Sequence, residues 1–555
     1  MTVRTLRCRG SSAHRGAFRS ISLGAPTLLL AAIELLLAAC GGGSSPAPPP
    51  PPPPPPSSDT LVRVSATSPF ASNCDGVPAN GTVYVNGEVE PSLSVNPLNP
   101  ANLVGAWQED RWSTGGAHGV LVGASSDGGK TWTRMMVPFS RCSGGNAGNG
   151  GDYERASDPW VSFSPSGTAY AMALVFSGIS FAPGSSSGMR VTHSSDGGAT
   201  WSAPQNLIAD GANFLNDKGS ITADPTDGNL VYAVWDRLTN DQHSVSELAR
   251  STDGGVTWEA PRAIYDPGAS NQTIGNVVVV LPNGTVVSVF SEIDVPANAA
   301  QQSSLRAVRS TDHGVTWSAP LKIADEFPVA TTTPNTGAPV RDSGVLGSVA
   351  QDRSGTLYIT WEDSRFSNGA RNGVAISRST DGALTWSAPV QINADTATQA
   401  FVPTAQVRSD GVIAVTYYDF RNATVSGQTL PTDYWMVTST DATHWTESHV
   451  SGSFDLDIAP QDSGLFLGDY QSLASSGSTF LPFFAQTNNG NISNPSDIFV
   501  AFSEPSGQAA QAPSAAAHTV TPRAAEPVVM TAAWQRRLDE NLARIRRSRL
   551  LGRPR

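Results

Sequence analysis

One eight-residue motif recurs along this chain and limits its possible folds more than any other feature. It is written SSDGGKTW at 125–132, and close copies begin at residues 194, 251, 310 and 379. A shortened sixth copy, STDATHW, places Trp445 in step with the tryptophans of the other five. The tryptophans are 57 to 69 residues apart. A repeat at this period indicates supersecondary units that stack on copies of themselves.

Each unit also carries β-prone runs around the motif. Two alternating or continuous apolar runs form a hairpin before it, as in NVVVVLPNGTVVSVF at 276–290, a third run leads into it, and a fourth begins at its Trp. Four antiparallel strands per unit predict an all-β fold, a β-propeller with one four-stranded blade per unit. Seven inner hairpins, from 90–107 to 470–486, favour seven blades, and six remain the alternative. The run TLVRVSA at 60–66 is predicted to close the ring as an outer strand.

The motif itself has the residues of a tight turn between strands. Asp127 can accept backbone N–H bonds across the turn, and Gly129 can take a positive φ. Trp132 is predicted to fill space between sheets. In the fifth copy Ala383 stands where Gly is usual, so that turn and the shortened sixth are predicted to bend differently. These roles are structural and give the repeats no chemistry of their own.

This pattern, S-x-D-x-G-x-T-W, resembles the Asp-box (BNR) motif of the sialidase (neuraminidase) superfamily of β-propellers. The resemblance covers about 89–503. It implies the propeller fold, and it implies either a glycoside hydrolase or a non-catalytic propeller, because fold alone does not fix function.

The two ends of the chain lie outside this repeat region. Residues 1–39 combine a basic start with an apolar run, which predicts a lipoprotein signal peptide. The sequence LLAAC followed by Gly41 resembles a bacterial lipobox, which implies lipidation of Cys40 and anchoring to a membrane. An uncleaved single span is the alternative. Residues 40–59 would form a Pro-rich tether, 60–503 the propeller, and 504–555 a low-complexity linker and a basic C-terminal helix.

The cysteines and the net charge limit the cellular compartment and the class of partner. With Cys8 in the signal and Cys40 lipidated, Cys74 and Cys142 remain and are predicted to form a disulfide in an oxidising compartment. The protein is therefore expected to be exported, at the outer membrane or cell surface, and to act as a monomer. The formal net charge is -12 although both ends are basic, which argues against nucleic acid as a partner.

Propeller topology places candidate chemistry away from the repeated turns. In a four-stranded meander the Asp boxes lie opposite the loop that joins strands two and three, so function is expected in those loops and between blades. Acid and Arg recur just past the second strand in WQEDRW (107–112), WDRLTN (235–240), WEDSRF (361–366) and YYDFRN (417–422). These pairs could stitch the rim together, or some of the Arg side chains could converge on the axis to bind a sugar carboxylate.

Sialidases use three Arg for the substrate carboxylate, a Tyr nucleophile activated by Glu, and an Asp acid/base. By chain order, the resemblance carries these roles to Arg111, Asp158, Glu362 (or Glu292), Arg365, Arg421 and Tyr470. The F-R-I-P signature of the family is missing, and EPSLSVNP stands in its place. Two functions therefore stay open. One is a sialidase-like hydrolase acting on terminal acidic sugars of glycans, and the other is a surface lipoprotein that binds glycan or protein without catalysis.

Neither a metal nor an organic cofactor is expected. The eight His residues show no zinc-ligand spacing. Asp455, Asp457 and Asp462 offer oxygen ligands that could hold Ca²⁺, with a solvated acidic loop as the alternative. Near the C-terminus, Trp534, Leu538, Leu542 and Ile545 form one helical stripe among Arg residues, which predicts an exposed helix or one that lies on a membrane or a partner.

Overall fold

Antiparallel β-strands make up almost all of the regular structure. The computed structural model describes residues 61–297, 299–503 and 518–553. The predicted signal peptide, the lipidation site Cys40 and the tether through residue 59 lie outside the described residues. The all-β prediction is confirmed, with 31 strands, one α-helix and four short 3-10 helices in these ranges.

Five separate sheets of four or five strands form blades of the propeller. Their meanders are β11–β14 (Phe214–Ala223, Val231–Thr239, Ser244–Ser251, Arg262–Tyr265), β15–β18 (Gln272–Val280, Val286–Asp294, Gln302–Ser310, Leu321–Glu326), β19–β22 (Ser348–Gln351, Leu357–Asp363, Gly373–Ser379, Val390–Gln391), β23–β26 (Ala400–Val407, Ile413–Asp419, Pro431–Ser439, Trp445–Asp455) and β27–β29 (Ser472–Ser476, Thr479–Thr487, Ser496–Val500). Strand β1 (Val62–Arg63) completes the last sheet, while β30 (His518–Val520) and β31 (Arg523–Ala524) add to the outer edges of β26 and β22.

The remaining strands form one sheet of nine. It contains β2 (Val83–Tyr84), β3–β6 (Val89–Val95, Leu103–Trp112, Ala117–Ser125, Thr133–Met136) and β7–β10 (Arg155–Phe163, Ala169–Ser177, Ser186–Ser194, Gln205–Gly211). Backbone pairing of Ala117 in β5 with Ala156 in β7 joins its two meanders. The hydrogen bonding therefore does not divide the propeller into seven four-stranded blades, or into six. It gives five separate blades and this nine-stranded sheet.

The sheets close into a ring around their inner strands. The inner strands β3, β7, β11, β15, β19, β23 and β27 each contact the next, and β27 contacts β3. Strand β1 pairs with β29 as the outermost strand of the last sheet, as predicted from TLVRVSA. Strand β1, which precedes all the other strands in the sequence, thereby completes the last sheet and closes the ring. Buried apolar side chains fill the space between neighbouring sheets, as Met172 of β8 and Trp235 of β12 do.

The Asp-box turns have the predicted role. The Asp127 carboxylate accepts hydrogen bonds from the Thr131 N–H (2.9 Å) and hydroxyl (2.6 Å), and Gly129 has φ +93°. These bonds hold the pKa of Asp127 at about 2. The prediction that the turn at Ala383 bends differently is wrong. Ala383 adopts φ +69° and its N–H donates to Ser379 Oγ, as the glycine at this place does in the other turns.

The predicted disulfide is present. Cys74 and Cys142 are bonded with their Cα atoms 4.8 Å apart, and the bond ties the N-terminal segment to the loop between the two meanders of the nine-stranded sheet. That loop holds the 3-10 helices Arg141–Ser143 and Ala147–Asn149, and two others span Arg365–Ser367 and Leu456–Ile458.

A single α-helix, α1 (Ala532–Ser548), follows near the end of the chain. The Thr531 side chain caps it by accepting a hydrogen bond from the Trp534 N–H. The prediction of an exposed helix is wrong, because Leu538 and Leu542 of its apolar stripe are 2% and 0% exposed against the propeller. Within the described residues, no helix is long and apolar enough to cross a membrane.

Candidate active site

The inner strands enclose a cavity of about 210 Å³ on the axis of the ring. Residues from every inner strand, or from the turn before it, contribute to its wall. Trp160, Asn276, Gln406 and Tyr470 are among them, so stretches of chain more than 300 residues apart meet there.

A cluster of buried charges lies at one end of this cavity, and we call it the hub cluster. Its members come from different sheets and from the loops between them: Glu90, Arg111, Asp158, Lys218, Arg341, Asp462 and Asp469. All seven are at most 9% exposed. Buried charges of this kind must be paired, because an unpaired charge in a low-dielectric interior is costly.

The same backbone feature, a β-bulge in the inner strand, directs three of these side chains towards the axis. Glu90 in β3, Asp158 in β7 and Lys218 in β11 all have positive φ, at 53°, 50° and 48°, and each sits in a register shift of its inner strand. Gly275 and Val402 occupy the corresponding shifts in β15 and β23. A β-bulge re-aims a side chain, and a non-glycine residue held at positive φ stores strain that is typical of functional sites.

Arg341 is the most heavily bonded member of the hub cluster. Its Nε and one terminal nitrogen donate to the two oxygens of Asp469 at 2.7 and 2.5 Å, and its other terminal nitrogen donates to Asp462 Oδ2 at 2.9 Å. Arg111 donates to the same Asp462 oxygen. Both guanidinium groups stack on the Phe466 ring at 4.5–4.6 Å. Two arginines that are 230 residues apart in the sequence therefore share one carboxylate and one aromatic face.

Lys218 forms the centre of the acidic side of the hub cluster. Its Nζ lies 2.6 Å from Asp469 Oδ2, 3.5 Å from Glu90 Oε1 and 3.7 Å from Asp158 Oδ1. Burial would lower the pKa of Lys218, but the negative charges of Asp158, Asp469 and Glu90 outweigh it and raise the pKa above its ordinary value. The ammonium group is thus charged at neutral pH.

The carboxyl groups around Lys218 differ in acidity. Burial would raise the pKa of Asp469, but Arg341 and Lys218 outweigh it and hold the pKa well below the usual range. Burial dominates at Glu90 and raises its pKa to about 7, even though Lys218 acts in the opposite direction. The site therefore holds one firmly ionised carboxylate and one carboxyl group that exchanges its proton near neutral pH, a pairing suited to general acid and base roles.

Tyr470 lies beside this cluster, at the wall of the cavity. Its ring packs 5.4 Å from that of Trp160, its hydroxyl donates to the Pro159 carbonyl at 3.2 Å, and Lys218 Nζ is 5.9 Å from the ring centre. Burial, reinforced by the charges of Glu90, Asp158 and Asp469, raises the pKa of Tyr470 well above its ordinary value. The structure thus brings together three of the residues assigned from the sequence, namely Tyr470, Asp158 and Arg111.

The structure does not bring Arg365 and Arg421 to the hub. Arg365 donates to Asp363 Oδ2 at 2.7 Å, and Arg421 donates to Asp419 Oδ2 at 2.7 Å and to Glu447 Oε2 at 2.6 Å. Neither residue lines the axial cavity. We call Arg365–Asp363 and Arg421–Asp419 the rim pairs. They correct the expectation that these arginines converge on the axis, because each guanidinium is paired with the aspartate that ends the preceding strand, two residues away.

The predicted glutamates also have structural partners. Glu362 accepts hydrogen bonds from the Ser343 N–H at 3.0 Å, the Val402 N–H at 2.9 Å and Asn372 Nδ2 at 3.1 Å. The alternative, Glu292, accepts from the Tyr265 hydroxyl and pairs with Arg306. Glu362 joins two neighbouring sheets, and the carboxyl groups beside Tyr470 are those of Glu90, Asp158 and Asp469.

Sequence reasoning missed four members of the hub cluster as site residues: Glu90, Lys218, Arg341 and Asp469. A sequence pattern could have identified Glu90. Glu90 precedes Pro91 at the same place in its inner strand as Asp158 precedes Pro159, and Val402–Pro403 repeats the pattern. Arg341 and Asp469 lie in loops between sheets, where spacing carries no such regularity.

The three aspartates considered for Ca²⁺ have separate partners. Asp455 accepts from the Leu430 N–H at 2.8 Å, Asp457 lies 3.5 Å from Asn335 Nδ2, and Asp462 binds the two hub arginines. In the part of the chain that is described, the group with metal-ligand spacing is Cys74, His118 and Cys142, and its two sulfurs are already joined in the disulfide.

Comparison with known proteins supports the repeat assignment. Residues 231–348 match the profile of the BNR repeat-like domain family. Over 182 residues the chain is 29% identical to xyloglucanase Xgh74A of Acetivibrio thermocellus, covering 30% of this chain and 19% of that enzyme. A xyloglucanase from a Paenibacillus species is 29% identical over 186 residues, covering 31% of this chain and 16% of the enzyme. The chain thus spans about a fifth of the length of these curated relatives.

Similar solved structures include a protein of unknown function, a sialidase and an arabinanase. A protein of unknown function from Dyadobacter fermentans aligns with a TM-score of 0.42 and 14% identity over 80% of this chain and 97% of its own. The Hadza microbial sialidase Hz136 gives 0.38 and 16%, over 75% and 65% of the two chains. An α-L-arabinanase of Penicillium chrysogenum gives 0.40 and 13%, over 80% and 98%.

Both curated relatives are named as xyloglucanases. The repeats matched by the family profile coincide with strands of a closed antiparallel ring, and the Asp-box turns form as the motif requires. The protein is a β-propeller, and its residues 231–348 match the BNR repeat-like domain family.

Proposed function

We propose that this protein is a glycoside hydrolase that cleaves terminal acidic sugars from glycans at the hub cluster. The observation that carries the proposal is the convergence of Arg111, Arg341, Lys218 and three carboxyl groups beside Tyr470 at one end of the axial cavity. Strained bulges hold Glu90, Asp158 and Lys218 in place there. Such preorganised charge is what stabilises a charged transition state.

The residues suggest a division of roles. The guanidinium groups of Arg111 and Arg341 can bind a sugar carboxylate bidentately. A bound carboxylate would compete with Asp462, which pairs with both arginines. Tyr470 is the nucleophile in this proposal. Its raised pKa keeps it a neutral phenol at rest, so a neighbouring carboxylate must accept its proton as it attacks. Asp158 and Glu90 are the candidates for proton transfer, and the Glu90 pKa of about 7 suits an acid that works near neutral pH.

The direct test is turnover of a fluorogenic sialoside by the purified full-length protein. The proposal expects hydrolysis by the wild type and its loss in Tyr470→Phe and Arg341→Lys, with the fold of each variant checked by circular dichroism. Fluorogenic α-L-arabinoside and xyloglucan serve as parallel substrates. Hydrolysis of one of these but not of the sialoside would keep the enzyme class and overturn the acidic-sugar specificity.

A second candidate, glycan or protein binding without catalysis, is favoured by one observation. Two of the three arginines assigned to a substrate carboxylate are held in the rim pairs. If binding is the function, the wild type retains acidic glycans in a glycan-array or calorimetric experiment and turns over no substrate of the panel.

We also propose that the protein is exported and anchored by a lipid on Cys40. The Cys74–Cys142 disulfide supports an oxidising compartment. Incorporation of labelled palmitate into the wild type, and its loss in Cys40→Ala, would test the anchor. An unlabelled wild type would contradict it.

A further inference from the structure

The C-terminal segment, residues 531–553, lies across the hub-cluster end of the ring. It begins at the β19–β22 sheet, where Trp534 Nε1 donates to Ser364 Oγ at 3.0 Å. It ends at the first meander, where the Gly552 N–H donates to the Thr114 carbonyl at 2.7 Å. Between these points it crosses the mouth of the propeller from one side to the other.

Apolar packing seats the helix. Leu538, Leu542 and Ile545 of α1 are buried in one cluster with Ile274 and Val345 of the propeller. Burial of apolar side chains is the main favourable contribution to such docking. The helix therefore rests on the propeller through the same stripe that gives it its amphipathic pattern.

Arginines of the segment enter an acidic surface around the hub. Arg549, 3% exposed, donates from Nε to Asp217 Oδ2 at 2.7 Å and from a terminal nitrogen to the Thr273 carbonyl at 2.9 Å. Arg544 donates to Asp342 Oδ1 at 3.1 Å. A basic segment thus neutralises carboxylates that border the hub cluster of an acidic protein.

The segment covers the hub cluster directly. A second cavity, of only about 30 Å³, lies between them, with Arg111, Asp158 and Arg341 on one side and Arg544 and Arg549 on the other. Pockets that hold small organic ligands are typically about 300–1,000 Å³. From this face, the segment leaves no room for a sugar to reach Arg111 and Arg341.

The propeller surface beneath the segment is shaped to receive it. A Cβ added to Gly369, which has φ +80°, would lie 2.3 Å from the Trp534 ring, and one added to Gly344 would lie 2.9 Å from Ile545 Cδ1. The ring itself closes through β1 and β29, without any strand from this segment. The segment is therefore a tightly fitted addition to a ring that is complete without it.

We propose that the hub-cluster mouth is a docking site for an arginine-bearing amphipathic helix, that the chain's own residues 531–553 occupy it, and that this occupancy limits the access of substrate to the hub until the segment is displaced. The docking part stands on the contacts above, and the closure of an active site rests on the proposed function.

The test uses a protein shortened after Val529, which keeps the edge strands β30 and β31, and a synthetic peptide of residues 530–555. The expected result is a folded shortened protein that binds the peptide saturably in calorimetry. Arg549→Ala in the peptide should weaken binding at least about thirtyfold, because it leaves Asp217 buried without its cation. Arg547→Ala is the matched control, because this exposed arginine should leave the affinity within about twofold.

Hydrogen exchange on the full-length protein provides an independent measurement. In Arg544→Glu/Arg549→Glu, helix amides should lose protection while amides of β11 and β15 keep theirs. Loss of the fold on shortening, absence of saturable binding, equal effects of the two alanine peptides, or joint loss of helix and blade protection would each overturn the docking site.

Sialoside turnover by the two proteins separates the closure from the proposed function. Turnover that rises at least about tenfold on shortening and falls again with added peptide supports closure. Peptide binding without turnover by either protein leaves the docking site standing and contradicts the hydrolase. Equal turnover by both proteins contradicts closure alone.

Discussion

The rim pairs and the hub arginines use the same residue types with opposite consequences. Arg365 and Arg421 each bind the aspartate that ends the preceding strand, two residues away. Arg111 and Arg341 instead bind Asp462, which is 351 and 121 residues away. The rim pairs are local contacts, whereas the hub pairs form only when segments that are far apart in the sequence are brought together by the fold. In this propeller, the distance along the chain from the arginine to its aspartate partner separates the two roles.

The indole groups next to the rim pairs explain their recurrence. Trp361 Nε1 donates to Asp363 at 2.8 Å and Trp435 Nε1 donates to Asp419 at 3.0 Å. Each rim aspartate therefore serves a buried tryptophan and an arginine at once. In WEDSRF and YYDFRN, the acid and arginine therefore serve packing within a blade, whereas Arg111 of WQEDRW belongs to the hub cluster.

The largest effect is expected from Arg341→Ala. It leaves Asp469 and Asp462 buried with less positive charge, so stability should fall by about 3–5 kcal/mol and sialoside turnover should disappear. Urea unfolding and the fluorogenic assay measure the two effects. If stability and turnover both stay at wild-type levels, the hub cluster has neither role.

Tyr470→Phe should lower turnover at least about 100-fold with little change in stability. The substitution removes the nucleophilic oxygen but only one hydrogen bond, to the Pro159 carbonyl, which contributes about 1 kcal/mol. Matched urea curves beside the turnover measurement separate chemistry from folding. A Phe variant as active as the wild type would remove Tyr470 from the mechanism.

Glu90→Gln should flatten the pH dependence of stability. The folded-state pKa of about 7 exceeds the ordinary value of 4.5, so the wild type loses stability as pH rises from about 4.5 to 7, where only the unfolded chain ionises. The amide does not titrate, and up to about 3 kcal/mol of that loss should vanish. Urea unfolding at pH 5 and pH 7 tests this. An unchanged slope would show that Glu90 ionises normally in the fold.

Arg421→Gln tests the rim side of the comparison. The loss of charge beside Asp419 and Glu447 should lower stability by about 2 kcal/mol, while turnover stays within about twofold. Thermal unfolding measures the change in stability, and the same fluorogenic assay measures turnover. A loss of turnover as severe as that of Arg341→Ala would erase the distinction between rim and hub.

The smallest effect is expected from Asp127→Ala in the first Asp box. Its hydrogen bonds lie in an exposed turn, so stability should fall by about 1 kcal/mol or less and turnover should not change. Because the pKa of Asp127 is lowered to about 2, this contribution is present at pH 7 and is lost as pH falls from about 4 to 2. A change in turnover would place chemistry on the Asp-box face.

Local sequence was sufficient for much of this molecule. The Asp boxes, hairpins, closing strand and disulfide depend on neighbouring residues or on one recognisable pair, and their predictions are confirmed. The division into separate four-stranded blades was not predictable, because one backbone pair, Ala117 with Ala156, decides it.

The candidate site was predictable only in part. Tyr470, Asp158 and Arg111 were found because chain order and position within a blade place them near the axis. Arg341 and Asp469 lie in irregular loops, and the burial of α1 over the hub depends on a surface built by several sheets.

The repeated unit and the closed ring follow from residue patterns, because turn chemistry and strand patterning act over a few residues. Which charges meet at the axis, and what covers them, depends on the packing of distant segments in the folded chain. A buried charge takes whichever partner the folded chain brings within reach, and for the hub that partner lies hundreds of residues away.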